Sequence, residues 1–355
     1  MIKLCQWDIT GECNLNCSYC REKRTEKLTT LNLGQIFSII DQFVDMEVKM
    51  VNIAGGEPLI FKELPKVLSY LRPKVETLGL TTNATLVSNK NVSIIKDFFD
   101  GVQVSLDGGN AKTHDSVRGI GTFKKTVCAI ELMVKKGINV MTRLTITHQN
   151  KHDIANYIKL ASSLGLKSAY LRRVIPSGNS YKTEPLSSDE LFHVFKIAHA
   201  TGKKFNIHIG SADYFSQIYF DQNEKLKVEK NMQDHPGKVL SGCSIGIDAF
   251  YVAQDGQVLF CPYLPVFCGD MTKEHLSSIW EKSRMFKINR NLRMNIEGKC
   301  SKCKYLMCCG GCPAYAFLTE GKITASDAGC WVNEQSSVSN DLTMTPKQVR
   351  LNDLS

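Results

Sequence analysis

Three cysteines, Cys13, Cys17 and Cys20, lie within one short stretch near the start of the 355-residue chain. The next cysteine downstream is Cys128, and Cys5 upstream lies within a strand pattern, where a small buried hydrophobic role is expected. Thiolates hold iron–sulfur clusters, and a fully ligated four-iron cluster takes four of them. Three cysteines spaced CX3CX2C on one loop can therefore ligate three irons and leave one iron open. An open position is typical of a catalytic metal site, and a structural zinc ion with a distant fourth ligand is the alternative.

A second group of cysteines lies near the C-terminus of the chain. Its members are Cys243, Cys261, Cys268, Cys300, Cys303, Cys308, Cys309, Cys312 and Cys330. Two CX2C pairs could indicate a zinc ribbon, but ribbons separate their pairs by about 15–20 residues, and here the gap is much shorter. The spacing and the number of thiols favour two iron–sulfur clusters over one zinc ion.

The composition is that of an ordinary globular protein, with 43% hydrophobic and 22% charged residues. No apolar run approaches the roughly 18 residues that indicate a membrane helix, and the start of the chain lacks a signal-peptide pattern. We therefore predict a cytoplasmic protein without a membrane partner, in which clustered cysteines indicate metal ligation and not disulfides. The net charge is +9, but no basic block exceeds short pairs such as Lys203 and Lys204, so nucleic-acid binding is not supported.

Alternating strand and helix patterns, from residue 2 to about 210, must position the first cysteine group. Strands are predicted over 3–10, 50–54, 77–83, 102–107, 140–146 and 169–175. Helices are predicted over 33–43, 61–71, 92–99, 122–136 and 153–164, and after the SSDE run at 187–190. This order predicts an α/β fold of βα units with a parallel sheet, either open and doubly wound or a partial barrel. The first cysteine loop follows the first strand and so lies at the carboxyl end of the sheet, where such folds bind ligands.

The strand and helix alternation ends before the second cysteine group. We predict a core domain over 1–215, a polar linker over 216–242, a cysteine-rich domain over 243–332 and a polar tail over 333–355. The cysteine-rich domain has many turns and few apolar runs, so we expect bound metal to stabilise it.

The stretch CNLNCSYC (13–20) resembles the signature of the radical S-adenosylmethionine (SAM) enzymes, CX3CXφC, where φ is an aromatic residue, here Tyr19. The strand at 50–54 continues into GGEP (55–58), as this family requires. The resemblance implies a partial (β/α)6 TIM-like barrel. It also implies that SAM binds the open iron and is cleaved reductively, and that the resulting 5′-deoxyadenosyl radical abstracts a hydrogen atom from the substrate.

The same resemblance implies a set of residues that bind SAM. They are Tyr19, Gly55, Gly56, Glu57, Pro58, Asn83, Ser105, Asp107 and Arg143. Two glycines allow close backbone approach, so the exposed amides of GGEP and the Glu57 carboxylate are expected to hold the methionine ammonium group. Asp107 is also a candidate general base, whereas His114 and His208 are conceivable bases for which we prefer structural or solvated roles.

The second cysteine group resembles the SPASM extension of radical SAM enzymes, which carries auxiliary iron–sulfur clusters. The ligands that this resemblance implies for the first auxiliary cluster are Cys243, Cys261, Cys268 and Cys312. Those that it implies for the second cluster are Cys300, Cys303, Cys309 and Cys330. Two alternatives stay open. Cys308 in place of Cys309 would restore the CX3C pair common in the family, and an open iron that binds substrate could replace Cys268.

Together the resemblances imply an oxidoreductase or maturase. Its cofactors would be SAM, a four-iron, four-sulfur (4Fe–4S) cluster at the SAM site and two auxiliary clusters. A flavodoxin- or ferredoxin-type protein would donate the electron. An iron–sulfur electron carrier is the non-enzyme alternative, although a carrier has no use for an open iron.

We expect a peptide or protein substrate that is oxidised or cross-linked, as in many SPASM relatives. The chain begins at its first predicted strand, without the leader-recognition domain of many peptide maturases, which weakens this expectation. CCGGC (308–312) and RRVIPSGN (172–179) are similar to enzymes that trim tetrapyrrole side chains in alternative haem pathways. Sugar or aminoglycoside dehydrogenases and epimerases are a further alternative.

Overall fold

The computed structural model describes residues 2–21, 31–178, 180, 183–235, 238–239 and 241–332. The polar tail predicted over 333–355, and Asn179 at the end of RRVIPSGN, lie outside the described residues. Within the described part of the chain, no helix combines the length and the apolar character that a membrane span needs.

Strands and helices alternate through the first part of the chain. These elements are β1 (Leu4–Thr10), α1 (Leu33–Asp45), β2 (Met50–Gly55), α2 (Leu64–Leu71), β3 (Thr77–Thr82), α3 (Val92–Phe98), β4 (Gly101–Ser105), α4 (Ala111–Arg118), α5 (Thr122–Lys135), β5 (Val140–Ile146), α6 (Ile154–Ser163), β6 (Ser168–Arg173), α7 (Ser188–Phe205) and β7 (His208–Ser211). Every predicted strand and helix overlaps one of them. Helix α4 and strand β7 are additional.

The second part of the chain is more irregular and begins with two helices. Its elements are α8 (Tyr214–Phe220), α9 (Gln222–Asp234), β8 (Ala249–Val252), β9 (Gln257–Cys261), β10 (Leu264–Asp270), α10 (Leu276–Lys282), α11 (Arg284–Arg290), α12 (Leu292–Asn295) and α13 (Pro313–Glu320).

In the described residues, ten strands form one sheet in the order β10-β9-β8-β1-β2-β3-β4-β5-β6-β7. Strands β1 to β7 pair in parallel. Strand β8 also pairs in parallel with β1, from Leu4 opposite Ala249 to Trp7 opposite Val252, and β9 and β10 continue antiparallel. The predicted α/β fold, a partial TIM-like barrel on a parallel sheet, is confirmed, and the sheet is not closed in the described residues. The cysteine-rich segment extends this same sheet, and the domain boundaries stay predictions.

One face of the parallel strands packs against helices, and the other is polar and only half-buried. In β5, buried Thr142 and Leu144 alternate with half-buried Met141 and Arg143, because successive side chains of a strand point to opposite faces. Parallel sheets are normally covered on both faces. A polar, half-buried face at the strands' carboxyl ends therefore indicates an interior that receives a ligand.

The segment 216–242, expected to be a linker, is helical up to Asp234 in the described residues. Helix α9 is capped by Asp221, whose carboxylate accepts hydrogen bonds from the amides of Asn223 at 3.0 Å and Glu224 at 3.2 Å. Its single buried residue is Val228, so the sequence carries no apolar stripe. The predicted polar linker therefore consists largely of helix in the described residues, and its role as a linker stays a prediction.

Helix α4 likewise lacks an apolar stripe. Asn110 caps it by accepting a hydrogen bond from the amide of Thr113 at 3.0 Å. The residues that it buries are mostly polar, among them His114 and Arg118. The helix therefore has no hydrophobic periodicity, yet it delivers two buried polar side chains to the site.

Candidate active site

The CX3CX2C cysteines lie in the loop that follows β1, at the carboxyl end of the parallel sheet. Cys17 is buried, and Cys13 and Cys20 are half-buried. The loop turns back on itself, since the amide of Cys20 donates to the carbonyl of Cys17 at 3.1 Å. The amide of Ser18 donates to the carbonyl of Val117 at 3.0 Å, which ties the loop to α4.

A buried arginine that the sequence pattern did not predict, Arg118, lies beside the Cys17 thiol. Its Nη1 is 3.8 Å from Cys17 Sγ, and the guanidinium also donates to the Tyr19 hydroxyl and the Asp107 carboxylate. Burial raises the pKa of Cys17, and the positive charge of Arg118 opposes that shift. Arg118 therefore favours the thiolate, which is the form that ligates metal.

Asp107 holds this arrangement together. Its buried carboxylate accepts hydrogen bonds from the amide of Thr145 at 2.7 Å, from Tyr19 and from Arg118. Both carboxylate oxygens are thus engaged and the charge is compensated, which fits a positioning residue better than a general base. His114 also has a structural contact, because its Nδ1 accepts from the amide of Asp107 at 3.1 Å.

The GGEP segment packs against the loop after β1 and does not offer free amides at its centre. The amide of Gly56 donates to the carbonyl of Thr10 and that of Glu57 to the carbonyl of Glu12, both at 2.7 Å. Gly55 has φ +136°, and a Cβ there would lie 2.2 Å from the Thr10 carbonyl oxygen. The glycine is therefore required by neighbouring backbone. The expectation of exposed amides is wrong for Gly56 and Glu57.

Glu57 is buried and orders the end of β3. Its carboxylate accepts from the Thr82 hydroxyl at 2.6 Å and from the amide of Asn83 at 2.7 Å, while Pro58 begins a short 3-10 turn. The Nδ2 of Asn83 lies 3.8 Å from Cys13 Sγ. Glu57 thus positions Asn83 beside the cysteine loop, where a role toward SAM stays a prediction.

Ser105 and Arg143 lie opposite each other on β4 and β5, on the half-buried face. The guanidinium of Arg143 donates to Gln103 Oε1 at 3.3 Å and to the Tyr263 hydroxyl at 3.2 Å. Arg143 therefore connects the parallel sheet to the cysteine-rich segment, and its predicted contact with the methionine carboxylate is not tested by these bonds. His208 is exposed on β7.

Three cysteines predicted for the first auxiliary cluster, Cys243, Cys261 and Cys312, are neighbours in the fold. Burial chiefly raises the pKa of Cys312 to about 12, and the Cys261 and Cys243 thiols contribute to this shift. Cys268 is not among these neighbours, and its thiol points to the carbonyl of Val266 at 3.6 Å. Its assignment to this cluster stays a prediction that the described contacts do not support.

The four cysteines predicted for the second auxiliary cluster line one cavity. They are Cys300, Cys303, Cys309 and Cys330. The cavity encloses about 440 Å³ of empty space, counting its mouth. Cys308 is instead buried in an apolar cluster with Ile218, Val228 and Tyr305. This placement favours Cys309 over Cys308 as the ligand.

Two family models match the parts of the chain that contain the first cysteine group and the beginning of the second. The model of the radical SAM superfamily matches residues 7–161, and that of the SPASM iron–sulfur cluster-binding domain matches residues 243–304. Together the two matches span more than half of the chain. The chain belongs to the radical SAM enzymes that carry a SPASM domain.

This radical SAM/SPASM enzyme has curated relatives along nearly its whole length. The AdoMet-dependent heme synthase of Methanosarcina barkeri is 28% identical, over 92% of this chain and 96% of its own. Pre-heme d1 synthase of Dinoroseobacter shibae is 25% identical, over 92% of this chain and 85% of its own. The mycofactocin maturase MftC of Mycolicibacterium smegmatis is 25% identical, over 91% of this chain and 81% of its own. Streptococcus suis SuiB, solved with its precursor peptide SuiA, gives a TM-score of 0.75 at 16% identity (93% and 76%), which shows a shared fold.

Membership of this family establishes the cofactors as SAM, a 4Fe–4S cluster at the SAM site and auxiliary iron–sulfur clusters. The residues present fit them, since thiolates are the donors that such clusters use. Among the described residues, no group of three His, Cys, Asp or Glu side chains lies close enough together to hold a single metal ion. A cluster does not need such an arrangement, because each thiolate binds a different iron. The ligand sets named above remain predictions.

Proposed function

We propose that this radical SAM/SPASM enzyme oxidises a carboxylate-bearing side chain of a tetrapyrrole haem precursor. The sequence alone favours a peptide substrate, with tetrapyrroles as an alternative. The observation that carries the proposal is the similarity to AdoMet-dependent heme synthase, which extends over 92% of this chain and 96% of the relative. A second tetrapyrrole enzyme, pre-heme d1 synthase, matches over a comparable span.

The polar face of the sheet is suited to hold such a substrate. Asn52 donates to Gln6 at 2.9 Å and to Thr81 at 3.0 Å, so these side chains form a fixed polar wall across β1, β2 and β3. On β5 and β6, Arg143 and Arg172 add positive charge to the same face. Tetrapyrrole propionates are anions, and arginine binds carboxylates through paired, charge-assisted hydrogen bonds.

Bound SAM and its reduced cluster supply the radical that removes a hydrogen atom from the substrate. The chain's own residues hold the cysteine loop and the neighbouring Asn83 in position. Arg118 and Asp107 fix the loop that carries Cys17, and Glu57 fixes Asn83 beside Cys13. The predicted auxiliary ligands lie on the segment that extends the same sheet, where bound clusters can accept the second electron of an oxidation.

The test is anaerobic turnover of the reconstituted holoenzyme with SAM, a reductant and a porphyrin that carries propionate side chains. We expect release of 5′-deoxyadenosine together with a mass loss in the porphyrin. The triple variant Cys13→Ala, Cys17→Ala and Cys20→Ala should release none. Release of 5′-deoxyadenosine by the wild type while the porphyrin stays unmodified would contradict the proposal.

Peptide maturation is a second candidate, favoured by the 25% identity to the mycofactocin maturase. It requires a precursor peptide, which a short gene beside this one would encode. The same assay with that peptide in place of the porphyrin separates the two functions, because only the true substrate changes mass as SAM is cleaved.

A further inference from the structure

Two adjacent arginines on β6 point to opposite faces of the sheet. Arg173 is paired with a carboxylate: its two terminal nitrogens form hydrogen bonds of 2.7 and 2.5 Å with the two carboxylate oxygens of Asp327. Arg172 lies on the half-buried polar face. Its Nε is closed off from solvent and has no hydrogen-bond partner in the described structure. The Nε–H group of Arg172 is thus buried without an acceptor in the described structure.

The carboxylate whose charge acts on Arg172 is already engaged. Asp213 lies near Arg172 but forms an ion pair with Arg173 Nε at 2.8 Å. Asp8 on β1 is engaged as well, since it pairs with Arg21 at 2.5 Å. Among the described residues, no carboxylate forms a hydrogen bond or an ion pair with Arg172. A buried donor without an acceptor is costly, which favours a ligand that accepts its hydrogen bond.

Tyr263, from the cysteine-rich segment, contacts Arg172. The Arg172 guanidinium carbon lies 3.8 Å from the centroid of the Tyr263 ring, a stacked cation–π contact that fixes the guanidinium. The Tyr263 hydroxyl accepts a hydrogen bond from Arg143 at 3.2 Å. Its own proton has no acceptor among the described residues and is available to a ligand.

Arg172 and Tyr263 also lie next to thiols predicted to hold the first auxiliary cluster. The amide of Tyr263 is 3.5 Å from Cys261 Sγ. Arg172 is close enough to Cys312 and Cys261 for their charges to interact. A group held by Arg172 and Tyr263 would therefore lie between the polar face of the sheet and these cysteines.

We propose that Arg172 and Tyr263 bind a carboxylate of the substrate, and that this contact selects acidic substrates and holds one acidic side chain beside Cys261 and Cys312. Arg172 provides two N–H donors to the carboxylate and Tyr263 provides its hydroxyl. The proposal rests on the tetrapyrrole function above, in which the carboxylate is a propionate.

The experiment measures binding and not turnover. The anaerobic holoenzyme is titrated with a porphyrin that carries four propionates and with its tetramethyl ester, which has the same ring but no charge, and the absorbance of the porphyrin is followed. Three variants are compared with the wild type: Arg172→Met, which removes the charge, Arg172→Lys, which keeps it, and the control Arg72→Met, at a surface ion pair with Asp100.

We expect Arg172→Met to weaken binding of the tetra-acid by about 10- to 100-fold, the range for a charge-assisted hydrogen bond. Binding of the ester should not change. The affinity of Arg172→Lys for the tetra-acid should lie between those of the wild type and Arg172→Met, because lysine keeps the charge but lacks the planar, paired N–H donors of arginine. Arg72→Met should bind as the wild type does.

Unchanged binding of the tetra-acid by Arg172→Met would overturn the inference, and so would an equal loss for acid and ester, which indicates a collapsed binding site. Either result leaves the tetrapyrrole function standing, because the wild type still binds the porphyrin. If the wild type binds neither compound, the proposed function fails and the inference fails with it.

Discussion

Replacing Asp327 by asparagine should loosen the connection between the parallel sheet and the cysteine-rich segment. The buried carboxylate of Asp327 accepts two hydrogen bonds from Arg173, one from the amide of Cys312 at 2.8 Å and one from the amide of Gly329 at 3.0 Å. Asparagine keeps one acceptor oxygen and turns an NH2 group toward these donors. It also removes the charge opposite Arg173.

Breaking a buried ion pair by removing one partner costs about 3–5 kcal/mol. Asp213 still contacts Arg173 at 2.8 Å, so we expect a loss near the lower limit, about 3 kcal/mol. Unfolding entropies near 2 cal/mol/K per residue convert this loss into a decrease in Tm of about 4 °C for a chain of 355 residues. Because the amide of either Cys312 or Gly329 loses its acceptor, next to a predicted cluster ligand in both cases, we also expect less iron per chain.

The assay is thermal unfolding of the anaerobic holoenzyme followed by circular dichroism, with iron measured on the same samples. Asp97→Asn, the same substitution at an exposed helix position, is the matched control. Arg173→Met and the double variant complete a cycle, in which the double variant should lose much less than the sum of the single variants. A Tm for Asp327→Asn equal to that of Asp97→Asn would refute this account, and so would additive losses.

Three further predictions concern residues of the candidate site. Cys268→Ala should retain the iron content of the wild type, whereas Cys261→Ala should lose an auxiliary cluster of about four irons; equal losses would place Cys268 among the ligands. Asp107→Asn should lower both Tm and iron content because it leaves buried Arg118 uncompensated, whereas loss of turnover alone would restore Asp107 as a general base. Burial lowers the pKa of His114 from 6.5 to about 4, so the unfolded state binds more protons between these values and the free energy of unfolding rises with pH there. Relative to His114→Gln in urea titrations, the wild type should lose about 2 kcal/mol on going from pH 7.5 to pH 5, and parallel pH profiles would contradict this.

The order of the βα units could be predicted because the residues within each parallel strand indicate a strand on their own. The strand predicted over 140–146 matches β5, Val140–Ile146. The SSDE run likewise caps α7, since Ser187 accepts from the amide of Glu190 in a capping box. These signals depend only on residues that are neighbours in the chain, so they can be recognised before the fold is known.

What escaped prediction depends on contacts between distant parts of the chain. Arg173 and Asp327 are 154 positions apart, and nothing in the sequence pairs them. Arg118 lies on a short polar helix, so neither periodicity nor a motif marks it. The sequence could not decide whether Cys308 or Cys309 is the ligand. The two thiols are adjacent, so their spacings to any other cysteine differ by only one residue.

The parallel pairing of β8 with β1 has a consequence for how the protein is made. The first strand leaves the ribosome early, but its outer neighbour, Ala249–Val252, follows only after most of the chain has been translated. At about 5–20 residues per second, this delay is roughly 10–50 s. An unpaired strand edge is a template for association with other chains during that time. The yield of folded enzyme in a host will therefore depend on translation speed and on chaperones that shield the nascent edge.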